Sequence, residues 1–392
     1  MKWGMSSASA SPDSNLREVF QSIDDWRVQR TQRHDLADIL VIATCAMLCG
    51  QGHYTHMEAF GNLKRTWLES FLALPNGIPS HDTFRKVFSL LDPKRFMEAF
   101  SLWTQGVLRQ LSSEGLESGL KGVIAIDGKA LRGAVDKGQA PAVIVGAWAS
   151  ELSLCLGQVK VADKSNEIGA MPELLEMLAL KGCIVTIDAM GCQREVARKI
   201  IQQKGDYILA LKSNQESLHQ QVSHYLDTGE DLARAEGNFH QEESDGHGRH
   251  EVRRCWVSEE VECWLQGAEK WAGLRSVAAV ECERTVAGQT TVQRRYFISS
   301  LKADAALIAA SVRAHWGIEN SLHWVLDVTF GEDESRSRSG YSAENLATLR
   351  RLTHAMIKRE NPNSKKSVNQ RRFEAGLSTD YLQTLLGVNL DA

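Results

Sequence analysis

No apolar run in this chain reaches the ~20 residues that a membrane-spanning helix requires. The longest, LADILVIATCAMLCG at 36–50, stops short and carries Asp38, so it reads as a buried helix. Paired cysteines are also missing. The eight present, at 45, 49, 155, 183, 192, 255, 263 and 282, include no CxxC, which argues against zinc-ribbon and dithiol chemistry. No secretory leader is read at the start of the chain, and a reduced cytoplasmic protein that does not engage membranes is expected. No internal repeat is seen, which excludes a solenoid. A positive net charge is lacking too: the formal value is −4, unlike a protein that coats nucleic acid without specificity. The basic residues are instead concentrated. Residues 350–372 hold eight of them (Arg350, Arg351, Lys358, Arg359, Lys365, Lys366, Arg371, Arg372) against one acid, Glu360, a surplus of seven. That stretch is either a phosphate-binding strip or a solvated tail.

What is present changes character along the chain. Residues 1–14 are Ser-rich and expected to be loose, and 15–115 have helical periodicity, with Ser80 and Asp82 placed to cap the helix in SHDTFRKVFSLL. Short β-type runs follow at VIAID, AVIVGAW and SLCLGQVKV, then a helix (NEIGAMPELLEMLAL), a strand (CIVTID), a helix (QREVARKIIQQK) and a strand (DYILAL). The order β-β-β-α-β-α-β is that of the ribonuclease H-like fold, an α/β class, completed by one more helix crossing the sheet. The candidate for that helix is 304–326, reached only after some ninety residues of polar strands. The expected organisation is therefore a helical domain at 15–115, a ribonuclease H-like core at 120–212 and 301–360, a β-rich inserted subdomain at 213–300 beside the core, and a basic segment at 361–392. Within the insertion, the pairs Arg253-Arg254 and Arg294-Arg295 either meet phosphates or face solvent.

Three carboxylates stand out by position. Asp127 ends the strand in VIAIDGK, and Asp188 ends the strand in CIVTIDAMGCQ, so in this topology both project from neighbouring strand ends. The third follows from helical arithmetic. At ~100° per residue, Ile308, Val312, Glu319, Leu322 and Leu326 share one stripe, which predicts that Glu319 faces the core. A carboxylate is costly to bury unless it is paired or binds a cation. The pairing alternative is an arginine such as Arg132 or Arg194. Converging carboxylates make an oxygen-ligand site suited to Mg²⁺ or Mn²⁺, and two such ions about 4 Å apart suit in-line phosphoryl displacement. His240, His247, His250 and Cys255 match no common zinc spacing.

Specific stretches carry a resemblance: RHDLADILVIATCAMLCG, IPSHDTFRKVF, IAIDGKALRGA, TIDAMGCQ, DYILALKSNQ, HGRHEVR and, above all, HWGIENSLHWVLDVTFGEDESRSR followed by NLATLRRL. From about residue 16 to about 360 the sequence resembles the ISAs-type, or H-repeat-associated, transposases, within the broader group of DDE transposases of bacterial insertion sequences. The resemblance implies a helical transposase-associated domain, a ribonuclease H-like catalytic domain and a triad of Asp127, Asp188 and Glu319. It also implies metal-dependent cleavage and strand transfer of double-stranded DNA, at element ends and at a target, by a homodimer on the DNA. The broader group often surrounds its glutamate with Tyr-x2-Arg-x3-Glu-x6-Lys; here Val312, His315, Glu319 and Leu326 stand at those positions, so only the glutamate is retained. Arg313, His323, Arg336 and Arg338 are candidates to supply the missing charge. Lys129, Arg132, Gln193, Lys212 and Asn214, in the motif loops, are candidates for DNA contact, as are Lys365, Lys366, Arg371 and Arg372. Two other readings stand beside an active transposase: an inactive DNA-binding relic, and a metal-dependent endonuclease that cuts without joining.

Overall fold

Strand pairing organises the protein. The computed structural model describes residues 16–113, 122–134, 141–161, 167–228, 238–246, 248–259, 261–362 and 364–387; the stretch 1–14 lies outside them, as does His247. Among the described residues the strands are β1 (Val123–Ala130), β2 (Val143–Ala149), β3 (Leu154–Val161), β4 (Ile184–Ile187), β5 (Asp206–Leu211), β6 (Phe239–Gly246), β7 (Arg249–Ser258), β8 (Ser276–Val286) and β9 (Gln289–Ser299). They form one sheet in the order β3-β2-β1-β4-β5-β9-β8-β7-β6. β1 runs antiparallel to β2 and parallel to β4, and β4 runs parallel to β5. The segment β3-β2-β1-β4-β5 is thus the ribonuclease H-like core, with helices Glu167–Glu176 and Arg194–Gln202 as its crossovers. All seven residues of β2 are buried, as expected of a strand covered on both faces.

The inserted β-rich region, between β5 and the helix 305–315, continues the core sheet. β9 pairs antiparallel with β5, from Ile208 opposite Ser299 to Leu211 opposite Tyr296. The physical reason is the open edge of β5, whose unpaired backbone groups need partners; the returning strand supplies them. Its arginines are mostly spent within the sheet. Arg254 Nη1 lies 3.1 Å from Glu281 Oε1 and 2.9 Å from Glu283 Oε2, Arg253 pairs with Glu251 and Glu242, and Arg294 pairs with Asp227 and Glu281.

All thirteen residues of the helix Leu36–Leu48 are buried, which confirms it as a core helix. Its one acid, Asp38, accepts a hydrogen bond from Arg17 Nε at 2.8 Å. The helix Ser342–Glu360 packs on this helix and on β3, joining the helical region to the sheet. Gln158 Nε2 donates to Thr348 Oγ1 at 2.7 Å, and Asn345 Nδ2 donates to the carbonyls of Phe88 and Leu91 at 2.9 and 2.8 Å. No helix among the described residues is long and apolar enough to cross a membrane.

Half of the supposed basic strip is interior. Arg350, Arg351, Arg371 and Arg372 are each no more than 5% exposed. Arg351 Nη1 lies 3.0 Å from Glu332 Oε1, and Arg350 Nη1 lies 3.9 Å from the same atom. Arg371 pairs with Glu360 and donates to Tyr381 Oη at 2.9 Å. Arg372 donates to the Met47 carbonyl and stacks over the Phe330 ring at 4.0 Å. The helices Val368–Leu377 and Thr379–Leu386 thus fold back on Leu36–Leu48, and the C-terminal segment belongs to the helical region. Lys365 and Lys366 do lie at the surface, with Lys366 Nζ 2.8 Å from Glu374.

His354 is a further buried ionisable group on the Ser342–Glu360 helix, with its ring beside Trp148 and Phe330. Burial pushes its pKa from the ordinary 6.5 down to about 3. The folded chain keeps it neutral while the unfolded chain takes up a proton below about pH 6.5, so this group makes stability fall as pH drops from there toward 3. By about pH 4.5 the loss should be about 2–3 kcal/mol. His354→Leu should remove that part of the acid sensitivity, read as the difference in urea stability between neutral and acidic buffer; equal losses in both proteins would rule it out.

Candidate active site

Parallel pairing sets the first two carboxylates side by side. Ile126 of β1 lies opposite Ile187 of β4, so the next residue on each strand is Asp127 and Asp188, on strands about 4.8 Å apart. Asp188 then caps a 3₁₀ turn, Ala189–Gly191: its Oδ1 accepts from the amides of Met190 at 3.1 Å and Gly191 at 3.4 Å. The turn is tight enough to demand glycine, because a Cβ on Gly191 would come within 2.2 Å of Ile187 and 2.6 Å of Met171. Asn214 Nδ2 donates to the Ala189 carbonyl at 2.5 Å and Gln215 Nε2 to the Cys192 carbonyl at 3.0 Å, bracing the same loop.

The third carboxylate arrives on a helix that packs against β1 and β4. It begins as Ala305–His315, capped by Asp304 accepting from the amide of Leu307, and is tied to the sheet by Ser150 Oγ donating to the Ala314 carbonyl and by a 3.0 Å contact between Thr186 Oγ1 and His315 Nδ1. From Ile318 to His323 it widens into a π-helical turn before resuming as Trp324–Val328. The extra residue in that turn advances the helical phase. Ile318, Leu322 and His323 therefore face inward, and the Glu319 side chain, expected on the buried stripe, is half exposed. Straight 100° arithmetic fails at the π turn. What it exchanges is instructive: His323, whose side chain is 8% exposed, has Nδ1 3.4 Å from Glu319 Oε2 and 3.7 Å from Asp127 Oδ2. One ligating atom from each of Asp127, Glu319 and His323 lies within 4.8 Å of the others.

The electrostatics follow from this crowding. Burial, and then the neighbouring Glu319, push the Asp127 carboxyl well above the ordinary carboxylate range. Glu319 moves the other way, because hydrogen bonding to His323 outweighs its partial burial. The two carboxyls are thus driven apart, Asp127 up and Glu319 down, as like charges side by side require. The donor set of two carboxylates and an imidazole fits a divalent cation, which would relieve the same repulsion.

The remaining sequence-derived candidates separate into three groups. Lys129 is buried rather than poised for DNA: it lies two residues beyond Asp127 on the same face of β1, with Nζ 2.6 Å from Asp327 Oδ1 and 3.6 Å from Asp333 Oδ1. It clips β1 to the end of the Glu319 helix. His323 likewise belongs to the carboxylate cluster, and Asn214 to the Asp188 loop. Gln193 is half-buried, with Nε2 3.4 Å from the Met190 carbonyl. Arg132, Lys212, Arg313, Arg336 and Arg338 are exposed. Gly133 draws part of this set together, since a Cβ there would meet the backbone oxygens of Asp333 and Ser335 at 2.3 and 2.6 Å, and that close approach lays Arg132 along the loop that carries Arg336 and Arg338. Arg313 Nη1 is 2.7 Å from Glu242 Oε1. Asp327, Glu332 and Asp333 escaped the sequence reading, although all three lie in the stretch HWGIENSLHWVLDVTFGEDESRSR; nothing in their spacing names their partners.

Comparison with known proteins places the chain in a family. The chain is 36% identical over 377 residues to YncI of Escherichia coli O157:H7, covering 95% of this chain and 94% of that one. It is 34% identical over 377 residues to YhhI of Escherichia coli K12, described as H repeat-associated, covering 95% and 97%. A solved piggyBac transposase synaptic complex with hairpin DNA overlaps at TM-score 0.45 and 12% identity, over 96% of this chain and 81% of that one, too slight a likeness to add weight. A family profile described as DDE_Tnp_1-associated matches residues 17–104, and one described as Transposase DDE domain matches residues 118–356, the span that contains Asp127, Asp188 and Glu319. The chain therefore belongs to the DDE-domain transposase family.

Proposed function

We propose that this protein is an active transposase that cleaves double-stranded DNA at the ends of an insertion sequence and joins the freed end to a target, with Asp127, Asp188 and Glu319 as its catalytic carboxylates. The observation that carries the reading is the convergence of Asp127 and Glu319, brought together from a strand and a helix nearly two hundred residues apart, beside a strand end bearing Asp188. Crowding these acids together at a strand end, with Asp127 mostly buried, is costly without a cation. Mg²⁺ or Mn²⁺ bound there, two ions during reaction, would supply an activated attacking oxygen and a stabilised leaving oxygen.

The chain's own residues do the rest. Asp127 and Glu319 present oxygens from rigid elements, and the Ala189–Gly191 turn orients Asp188. Lys129 holds the β1 strand against the Glu319 helix through Asp327 and Asp333. Arg132, Arg336 and Arg338 form an exposed basic rim for the phosphate backbone, with Lys212, Gln193 and Arg313 as further contacts and Lys365 and Lys366 on the helical region. A homodimer, one subunit for each element end, completes the assembly.

The test uses the purified chain, Mg²⁺ and linear DNA carrying the flanks of its own gene, scored for nicking and for strand transfer into a plasmid. Metal-dependent nicking followed by joined product is the expected result. Binding without nicking would make the protein a relic, and nicking without joining would make it an endonuclease.

A further inference from the structure

We propose that His323 is itself a ligand of the divalent ion, so that the centre is built from two carboxylates and one imidazole; the inference rests on the metal-dependent reading above. The geometry carries it. His323 Nδ1 stands 3.4 Å from Glu319 Oε2 and 3.7 Å from Asp127 Oδ2, and the three ligating atoms all lie within 4.8 Å of one another. Ligands ~2.1 Å from an octahedral ion are about 3 Å apart when adjacent and about 4.2 Å when opposite. Small side-chain adjustments therefore place all three atoms on one ion.

Two further observations single out this imidazole. The first is its burial: its side chain is 8% exposed, and the π-helical turn is what carries it inward beside Leu322. Turns of this kind are costly and concentrate at functional positions. The second is how the local cations are distributed. Lys129, the nearest buried lysine on the strand, is committed to Asp327 and Asp333. Among the described residues, His323 is the side chain that forms ion-pair contacts with Asp127 and with Glu319. Imidazole suits Mn²⁺ better than Mg²⁺, which prefers oxygen donors. His323 should therefore contribute more to Mn²⁺ binding than to Mg²⁺ binding.

The experiment reads the metal's neighbours directly. The full chain is loaded with Mn²⁺ without DNA, and electron spin echo modulation is recorded with natural-abundance and with ¹⁵N-histidine-labelled protein. The expected result is a directly coordinated nitrogen whose signal changes with the label and vanishes in His323→Gln, with Mn²⁺ affinity falling at least ~10-fold and Mg²⁺ affinity falling less. Mn²⁺ bound to the wild-type protein without nitrogen coupling would overturn the histidine while leaving the carboxylate site standing. Nitrogen coupling that persists in His323→Gln would overturn it too, pointing to another histidine such as His315. If the wild-type chain bound no Mn²⁺ at all, the metal-dependent reading would fall with it. Should His323→Gln fail to fold, His315→Gln decides: a nitrogen signal that it leaves in place keeps the assignment on His323, and one that it removes overturns it.

Discussion

Replacing Asp127 by Asn should abolish metal-dependent DNA nicking while leaving the folded protein and its affinity for DNA nearly intact. Asparagine has the same shape, and burial together with the neighbouring Glu319 already pushes the Asp127 carboxyl toward its neutral form, so a neutral side chain suits the site as it stands. The loss appears only when a charged oxygen is needed. Bound metal supplies several kcal/mol of transition-state charge stabilisation, and removing one ligand should therefore cost about 10³-fold or more in cleavage rate. DNA binding should not weaken, since the change removes a negative charge near the phosphates. The readout is initial nicking rate at saturating Mg²⁺ alongside a binding isotherm. Asp188→Asn belongs in the same series because Asp188 spends Oδ1 on the Ala189–Gly191 turn. A near-normal nicking rate for either variant would remove that residue from the catalytic set.

Among stability effects the largest should come from Glu332. Its side chain is fully buried, with Arg351 Nη1 at 3.0 Å and Arg350 Nη1 at 3.9 Å. Burial by itself would raise its pKa, but the two guanidiniums, Arg351 foremost, outweigh that and hold it below the ordinary value. Removing the acid leaves two buried positive charges facing each other. Breaking a buried pair by deleting one partner costs about 3–5 kcal/mol, so Glu332→Gln should lower the urea-derived stability by that order. The same principle predicts partial recovery when Arg350 and Arg351 are also replaced by methionine, because apolar side chains of similar volume need no counter-charge. A loss below about 1 kcal/mol for Glu332→Gln would show that solvent reaches the pair. The cluster has a functional bearing as well, since Glu332 lies in the loop between the Glu319 helix and Arg336, and its amide donates to the Leu326 carbonyl at 2.9 Å.

Both predictions concern residues whose roles were unequally legible. Asp127 and Asp188 could be read from apolar strands that end in an acid, because strand order and alternation are local properties and parallel pairing then places neighbouring strand ends together. The core helix 36–48, the crossover helices and the helix carrying Glu319 were legible for the same reason: their periodicity and apolar content are written within each segment. So was the ribonuclease H-like order. The sequence by itself determined these elements and two of the three acids' positions.

The tertiary structure decided everything that depends on a distant partner. Eight basic residues in 350–372 looked alike, yet Arg372 finds the Met47 carbonyl 325 residues away and Arg351 finds Glu332, while Lys365 and Lys366 stay in water. Charge is a property of the residue, but its cost depends on what else is desolvated beside it. Lys129 was likewise a surface cation until Asp327 and Asp333 arrived. The orientation of Glu319 turned on one extra residue in a helical turn, which shifts the helical phase and brings His323 inward while Glu319 stays half exposed at the cluster. The β-rich insertion was expected between the last core strand and the Glu319 helix, but that its strands would extend the core sheet was not legible, because strands announce that they need an edge and not which one. Here the free edge of β5 settled it, and the core sheet and the insertion became one.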